Sequence, residues 1–143
     1  MPEVVVISDA SPLIALSDIG YLHILQELYS KVIITDVVRA EIRAELPAWF
    51  SGVSSYDDAT FRWLAASLDP GEASAIALGL NYPNALLITD ERLGRKMAKQ
   101  KGLRVIGVPG IVLVAKHRGV IPSGRVVLEA PVEHGFRLSP LLI

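Results

Sequence analysis

The chain has no cysteine among its 143 residues. That absence excludes disulfides, thiolate zinc sites and cysteine nucleophiles together. Long apolar runs are missing too, none approaching the ~20 residues that span a bilayer. The opening "MPEVVVISD" carries no basic region, and its apolar run is too short for a signal peptide, so a cytoplasmic protein with no membrane partner is expected. Charge of one sign is lacking as well. Fourteen Lys and Arg against fifteen Asp and Glu leave a net charge of −1, so any basic surface has to be local. There is no internal repeat, no low-complexity tract and no G-x-S-x-G elbow. "GVPGIVL" has glycines but not the Lys and Ser/Thr of a phosphate loop.

What is present reads as globular. The apolar fraction is 51% and the charged fraction 20%, in a length that suits one domain, 1–143, with a part-helical, part-irregular tail over 120–143. "VVVIS" (4–8), "KVIIT" (31–35), "ALLIT" (85–89) and "RVIGV" (104–108) are short, continuous and rich in Val and Ile, as in strands of a sheet covered on both faces. Helical segments alternate with them, roughly at 12–18, 21–29, 36–46, 57–68, 70–81 and 91–101, with more from about 109 to 130. The pattern predicts an α/β fold, a three-layer α/β/α sandwich around a mostly parallel sheet. Asp36, Asp57 or Asp58, and Asp69 in "DPGE" mark helix starts. "PAWFSGVSSY" (47–56) reads as a loop, its Trp49, Phe50 and Tyr56 placed either to stack unpaired bases or to cover core edges.

Four acids stand out. Asp9 follows the first strand and Asp90 the third in this reading, where open α/β sheets place their ligands. Each could equally be a helix cap. On a helical wheel of "DVVRAEIRAEL", with Arg39 and Arg43 opposite, Glu41 falls inside the apolar arc of Val37, Val38, Ile42 and Leu46, an expensive place for an unpaired carboxylate. Glu45 falls there too, nearer the helix end. Glu72 is either the acid of a capping box or a carboxylate presented at the mouth of its helix. If Asp9, Glu41, Glu72 and Asp90 converge, they must protonate or bind a cation. Hard oxygen donors without cysteine favour Mg²⁺ or Mn²⁺ over zinc.

"VISDASPLIAL", "VVRAEI", "LDPGEASAIALGL" and "LLITDERLGRKMAKQKGLRVIGVPGIVL" resemble the successive motifs of PIN-domain proteins, over about residues 4–120. Many of those are metal-dependent ribonucleases, including the toxins of VapBC-type toxin–antitoxin pairs. The likeness is greatest to a prokaryotic subgroup with a D-x-S-P-L-I-x-L opening. The resemblance implies that Asp9, Glu41 and Asp90 bind metal and that Glu72 completes the set. Ser11 would bond within the site, and Thr89 fills the hydroxyl position before the last acid. Many relatives carry another aspartate a few positions beyond Asp90, where this chain has Glu91 and Arg92, so the resemblance leaves open one metal or two. It further implies an RNA substrate, a homodimer and a cognate antitoxin.

"ERLGRKMAKQKGLR" sets Arg92, Lys96 and Lys99 on one helical stripe after Asp90. The stripe is either a track for a phosphate backbone or a solvated face whose cations suit the helix dipole. Arg92, Arg95 and Lys96, nearest the acids, are the candidate substrate contacts. His23, His117 and His134 belong to no motif, which leaves a two-histidine, metal-free mechanism without support. Two rivals remain: a PIN-like module that binds RNA or protein without cutting, and a phosphotransfer enzyme with Asp9 as nucleophile. The second lacks the second aspartate and the lysine motif that such enzymes carry.

Overall fold

The computed structural model describes residues 4–42 and 44–121. Its elements run β1 (Val5–Ser8), α1 (Ala10–Asp18), α2 (Ile24–Tyr29), β2 (Val32–Thr35), α3 (Asp36–Glu41), β3 (Phe50–Val53), α4 (Asp58–Ala65), α5 (Pro70–Gly79), β4 (Ala85–Ile88), α6 (Arg92–Gln100), β5 (Arg104–Ile106) and α7 (Val108–His117). All strand pairs are parallel, in the order β3-β2-β1-β4-β5. This is the expected α/β layering.

The continuous Val/Ile runs follow from burial on both faces. Val6, Ile34 and Ile88 join one apolar cluster with Leu13, Ile24, Val38 and Ile111. Ile7 and Leu87 point the other way, to Leu64, Ile76, Leu78 and Ala98. Helix α5 is buried at every residue from Gly71 to Gly79, so it reads as apolar all round. The strand order reverses at β1, whose neighbours are β2 and β4. The crevice beyond the carboxyl ends of β1 and β4 is therefore the topological switch point.

Three expectations need correction. The segment 47–56 is not a loop throughout: Phe50–Val53 forms edge strand β3, paired with β2 from Val32↔Phe50 to Thr35↔Val53. Ser51 and Gly52 gave it no apolar signature, because an edge strand is exposed where an inner one is covered. Phe50 is buried, Trp49 packs partly against the core and stacks on Phe50, and the Tyr56 hydroxyl donates to Asp36. Helix α3 stops at Glu41 rather than 46. Good helix formers continue beyond it, but Ile42 turns extended, and Ile42 and Leu46 pack on the core from the connection to β3. Tertiary contacts override local preference there. Glu45 consequently lies exposed off the helix. The cap of α3 is Thr35, which accepts from the Val38 N–H, and not Asp36. The helix expected at about 123–130, Arg43 and His134 lie outside the described residues.

Candidate metal centre

Asp9 closes β1 and caps α1. Its Oδ1 accepts the Ala10 N–H at 2.9 Å, and the Ser8 hydroxyl donates to its carbonyl at 2.8 Å. The residue is 4% exposed. Asp69 caps α5, accepting the Glu72 N–H three residues on at 2.9 Å. Glu41 ends α3, which packs on α5. One carboxylate oxygen each from Asp9, Glu41 and Asp69 lies within 4.8 Å of the others. Among the described residues no Lys or Arg pairs with any of the three.

Glu41 departs from the wheel reading: it is exposed, not sunk into an apolar arc. Its carboxylate rests on the first turn of α5, where a Cβ on Gly71 would come 2.6 Å from Oε1. Partial desolvation and the charges of Asp69 and Asp9 push its carboxyl above the usual range, against the Gly71 N–H, which favours the ion.

Glu72 behaves differently. It is fully buried, and its side chain does not turn back to close a capping box. The third position of an all-buried helix faces the sheet, and there Thr89 donates to both Glu72 oxygens at 2.8 and 2.9 Å. Burial first, then a hydrogen bond with Asp9 and the charge of Asp9, push the Glu72 carboxyl up to about 10. The push is toward the protonated form of Glu72, hydrogen-bonded to Asp9. The Thr89 hydroxyl also accepts the Glu91 N–H at 3.2 Å, so one side chain joins the buried acid to the turn after β4.

Asp90 is half-buried and caps no helix of its own. Both its oxygens take the Val108 N–H, at 3.1 Å each, supplying α7 with the cap that Gly107 cannot. Burial raises its carboxyl; the Val108 N–H and then Arg95 pull the other way, and the Asp9 charge adds to the rise. Arg95 donates to the Thr89 carbonyl at 3.1 Å. Asp90, Arg92, Arg95, Lys96 and Lys99 line one open hollow of about 480 Å³. Ser11 is exposed in the first turn of α1, and among the described residues its hydroxyl has no hydrogen-bond partner; Ser8 and Asp9 hold that turn instead. His23 stacks on Tyr21 and His117 closes α7.

Asp69 is the residue that the spacing argument missed. Its capping bond is real, but a cap uses one oxygen and leaves the other at the helix mouth. "DPGE" carried that signal as two acids at one helix start. The donors fit a hard divalent cation: carboxylate oxygens only, mutually repelling, with no cation of the described chain to neutralise them. Residues 5–143 match the model of the family described as DUF3368, a PIN domain, so the chain belongs to the PIN-domain family. No curated protein matches it. PIN domains are commonly metal-dependent nucleases.

Proposed function

We propose that this PIN domain is a Mg²⁺- or Mn²⁺-dependent endoribonuclease, the VapC-like toxin of a type II toxin–antitoxin pair. The observation that carries the reading is the cluster of Asp9, Glu41 and Asp69 at the switch point of the sheet, with a basic hollow opening beside it. Asp9, Glu41 and Asp69 would hold the cation, with Asp90 facing the same crevice. A cation so held polarises a phosphodiester and lowers the pKa of an attacking water.

The remaining work falls to the chain. Glu72, itself held by Thr89, donates a hydrogen bond to Asp9 and keeps that carboxylate aimed outward. Asp90, fixed by the Val108 N–H, keeps Arg95 turned to the site. Arg92, Arg95 and Lys96 orient the scissile phosphate and offset its charge beside the acids. A cognate antitoxin and a homodimer belong to the same reading.

Cleavage of an RNA oligonucleotide by the purified chain should require Mg²⁺ or Mn²⁺ and stop with chelator. Asp90→Asn, which can still accept the Val108 N–H, should lose at least about a hundredfold in rate with its unfolding midpoint little changed. Equal cleavage by Asp90→Asn and the natural chain contradicts the assignment.

A further inference from the structure

Helix α3 is six residues long and buries only Val38, so neither its own hydrogen bonds nor a broad apolar face fixes its direction. Its last residue, Glu41, nonetheless meets Asp9 and Asp69. Two hydroxyls in the core supply the missing restraint. Thr35 caps α3 and Ser74 lies in α5, 39 residues apart in the chain, both fully buried, with their oxygens 2.7 Å from one another.

The direction of that bond follows from its neighbours. A hydroxyl has one proton to give. Ser74 gives its own to the Gly71 carbonyl at 2.8 Å, so Thr35 is the donor between the two. The Thr35 oxygen in turn accepts the Val38 N–H at 3.0 Å. A single series of bonds therefore runs from the first turn of α3, through Thr35 and Ser74, to the first turn of α5.

The series ends on the peptide unit that joins Gly71 to Glu72. Its carbonyl takes the Ser74 proton, and its N–H is the one that Asp69 accepts at 2.9 Å. The preceding N–H, that of Gly71, favours the Glu41 carboxylate, which lies so close that a Cβ on Gly71 would come 2.6 Å from Oε1. Hydrogen bonds in series polarise and orient one another. Beside an apolar pair of the same shape, two buried hydroxyls add little to stability. What they do add is a fixed register between the helix that ends in Glu41 and the helix that Asp69 caps.

We propose that Thr35 and Ser74 are positioning residues of the metal centre, whose hydroxyl bridge between α3 and α5 holds Glu41 and Asp69 at ligating distance from Asp9. This deepens the metal-dependent reading and rests on it. Neither hydroxyl touches the cation; both act through the first turn of α5.

The test is calorimetric titration of Mn²⁺ into the full chain, with urea unfolding of the same variants in chelator. Thr35→Val keeps the shape and loses the hydroxyl, whereas Thr35→Ser keeps the hydroxyl and loses the methyl group. Thr35→Val and Ser74→Ala should each bind Mn²⁺ roughly tenfold more weakly, and Thr35→Ser should stay within about twofold of the natural chain. Stability should not run in parallel: Thr35→Ser, with a methyl-sized void, should unfold at lower urea and yet keep its affinity. Unchanged affinity in either Thr35→Val or Ser74→Ala, with the natural chain binding, overturns the bridge and leaves the metal centre standing. Equal losses of affinity in Thr35→Val and Thr35→Ser would trace the effect to packing and overturn it as well. A natural chain that takes up no Mn²⁺ at millimolar concentration overturns the metal reading and the bridge with it.

Discussion

Asp69 and Glu72 stand three residues apart at the start of α5, yet their surroundings have little in common. Asp69 is exposed and shares its space with the carboxylates of Glu41 and Asp9. Glu72 is fully buried and bonded to Thr89 and Asp9. The buried half of the centre is satisfied by the protein's own hydrogen bonds, with one proton standing in for a cation. The exposed half accepts the Gly71 and Glu72 N–H groups but has no cation of the described chain paired with it. Asp9 belongs to both, which makes it the joint between scaffold and site. Acids that ligate must be left short of partners, while the acids beneath them must not be.

That division can be tested by removing its buried member. Glu72→Ala would leave the Thr89 hydroxyl without its acceptor and open a void under Asp9, a loss of about 2–4 kcal/mol in chemical denaturation. Glu72→Gln, close in shape and neutral like the protonated acid, should cost no more than about 1 kcal/mol. An alanine variant as stable as the natural chain would mean that Glu72 is no scaffold.

The same residue sets a pH dependence. The folded-state value of Glu72 is raised from 4.5 to about 10, chiefly by burial and then by Asp9. Its contribution to stability is fully present below the unfolded value and is lost as pH rises toward the folded one. Thermal midpoints of the metal-free protein should therefore fall between pH 5 and pH 9, and Glu72→Gln should flatten the fall. Identical slopes would place the titrating group elsewhere.

The exposed half responds to a gentler change. An alanine at Gly71 would set its Cβ 2.6 Å from Glu41 Oε1, and an exposed glutamate can swing aside at little cost. Helix α5 gains a better former, so stability should hold or rise by up to about 0.8 kcal/mol. Affinity for Mn²⁺ should nonetheless drop roughly tenfold, because a ligand has moved without being removed. Unchanged affinity would show that Glu41 is not needed in its present position.

Much of this layout was legible in the sequence. Four of the five strands announced themselves as continuous Val/Ile runs, and that alone placed Asp9 and Asp90 at strand ends. Strand β3 was hidden because Ser51 and Gly52 face solvent at the sheet edge. Asp69 was hidden by its own correct reading as a cap, since a cap says nothing of where the second oxygen points. The wheel marked Glu41 but put it in an apolar arc. What brings it to Asp69 is the packing of α3 on α5, a contact between elements far apart in the chain. Glu72 looked like a capping-box acid because its burial depends on α5 being covered on every side, which "EASAIALG" suggests only by having no polar face.

The most direct measurement is a calorimetric titration of Mn²⁺ into the natural chain and into Asp9→Asn, Glu41→Gln and Asp69→Asn at neutral pH. The natural chain should show saturable binding, and each variant should weaken it by about ten- to a hundredfold, Asp69→Asn included. If the natural chain takes up no Mn²⁺ at millimolar concentration, or the variants bind it unchanged, the three carboxylates are not a metal centre.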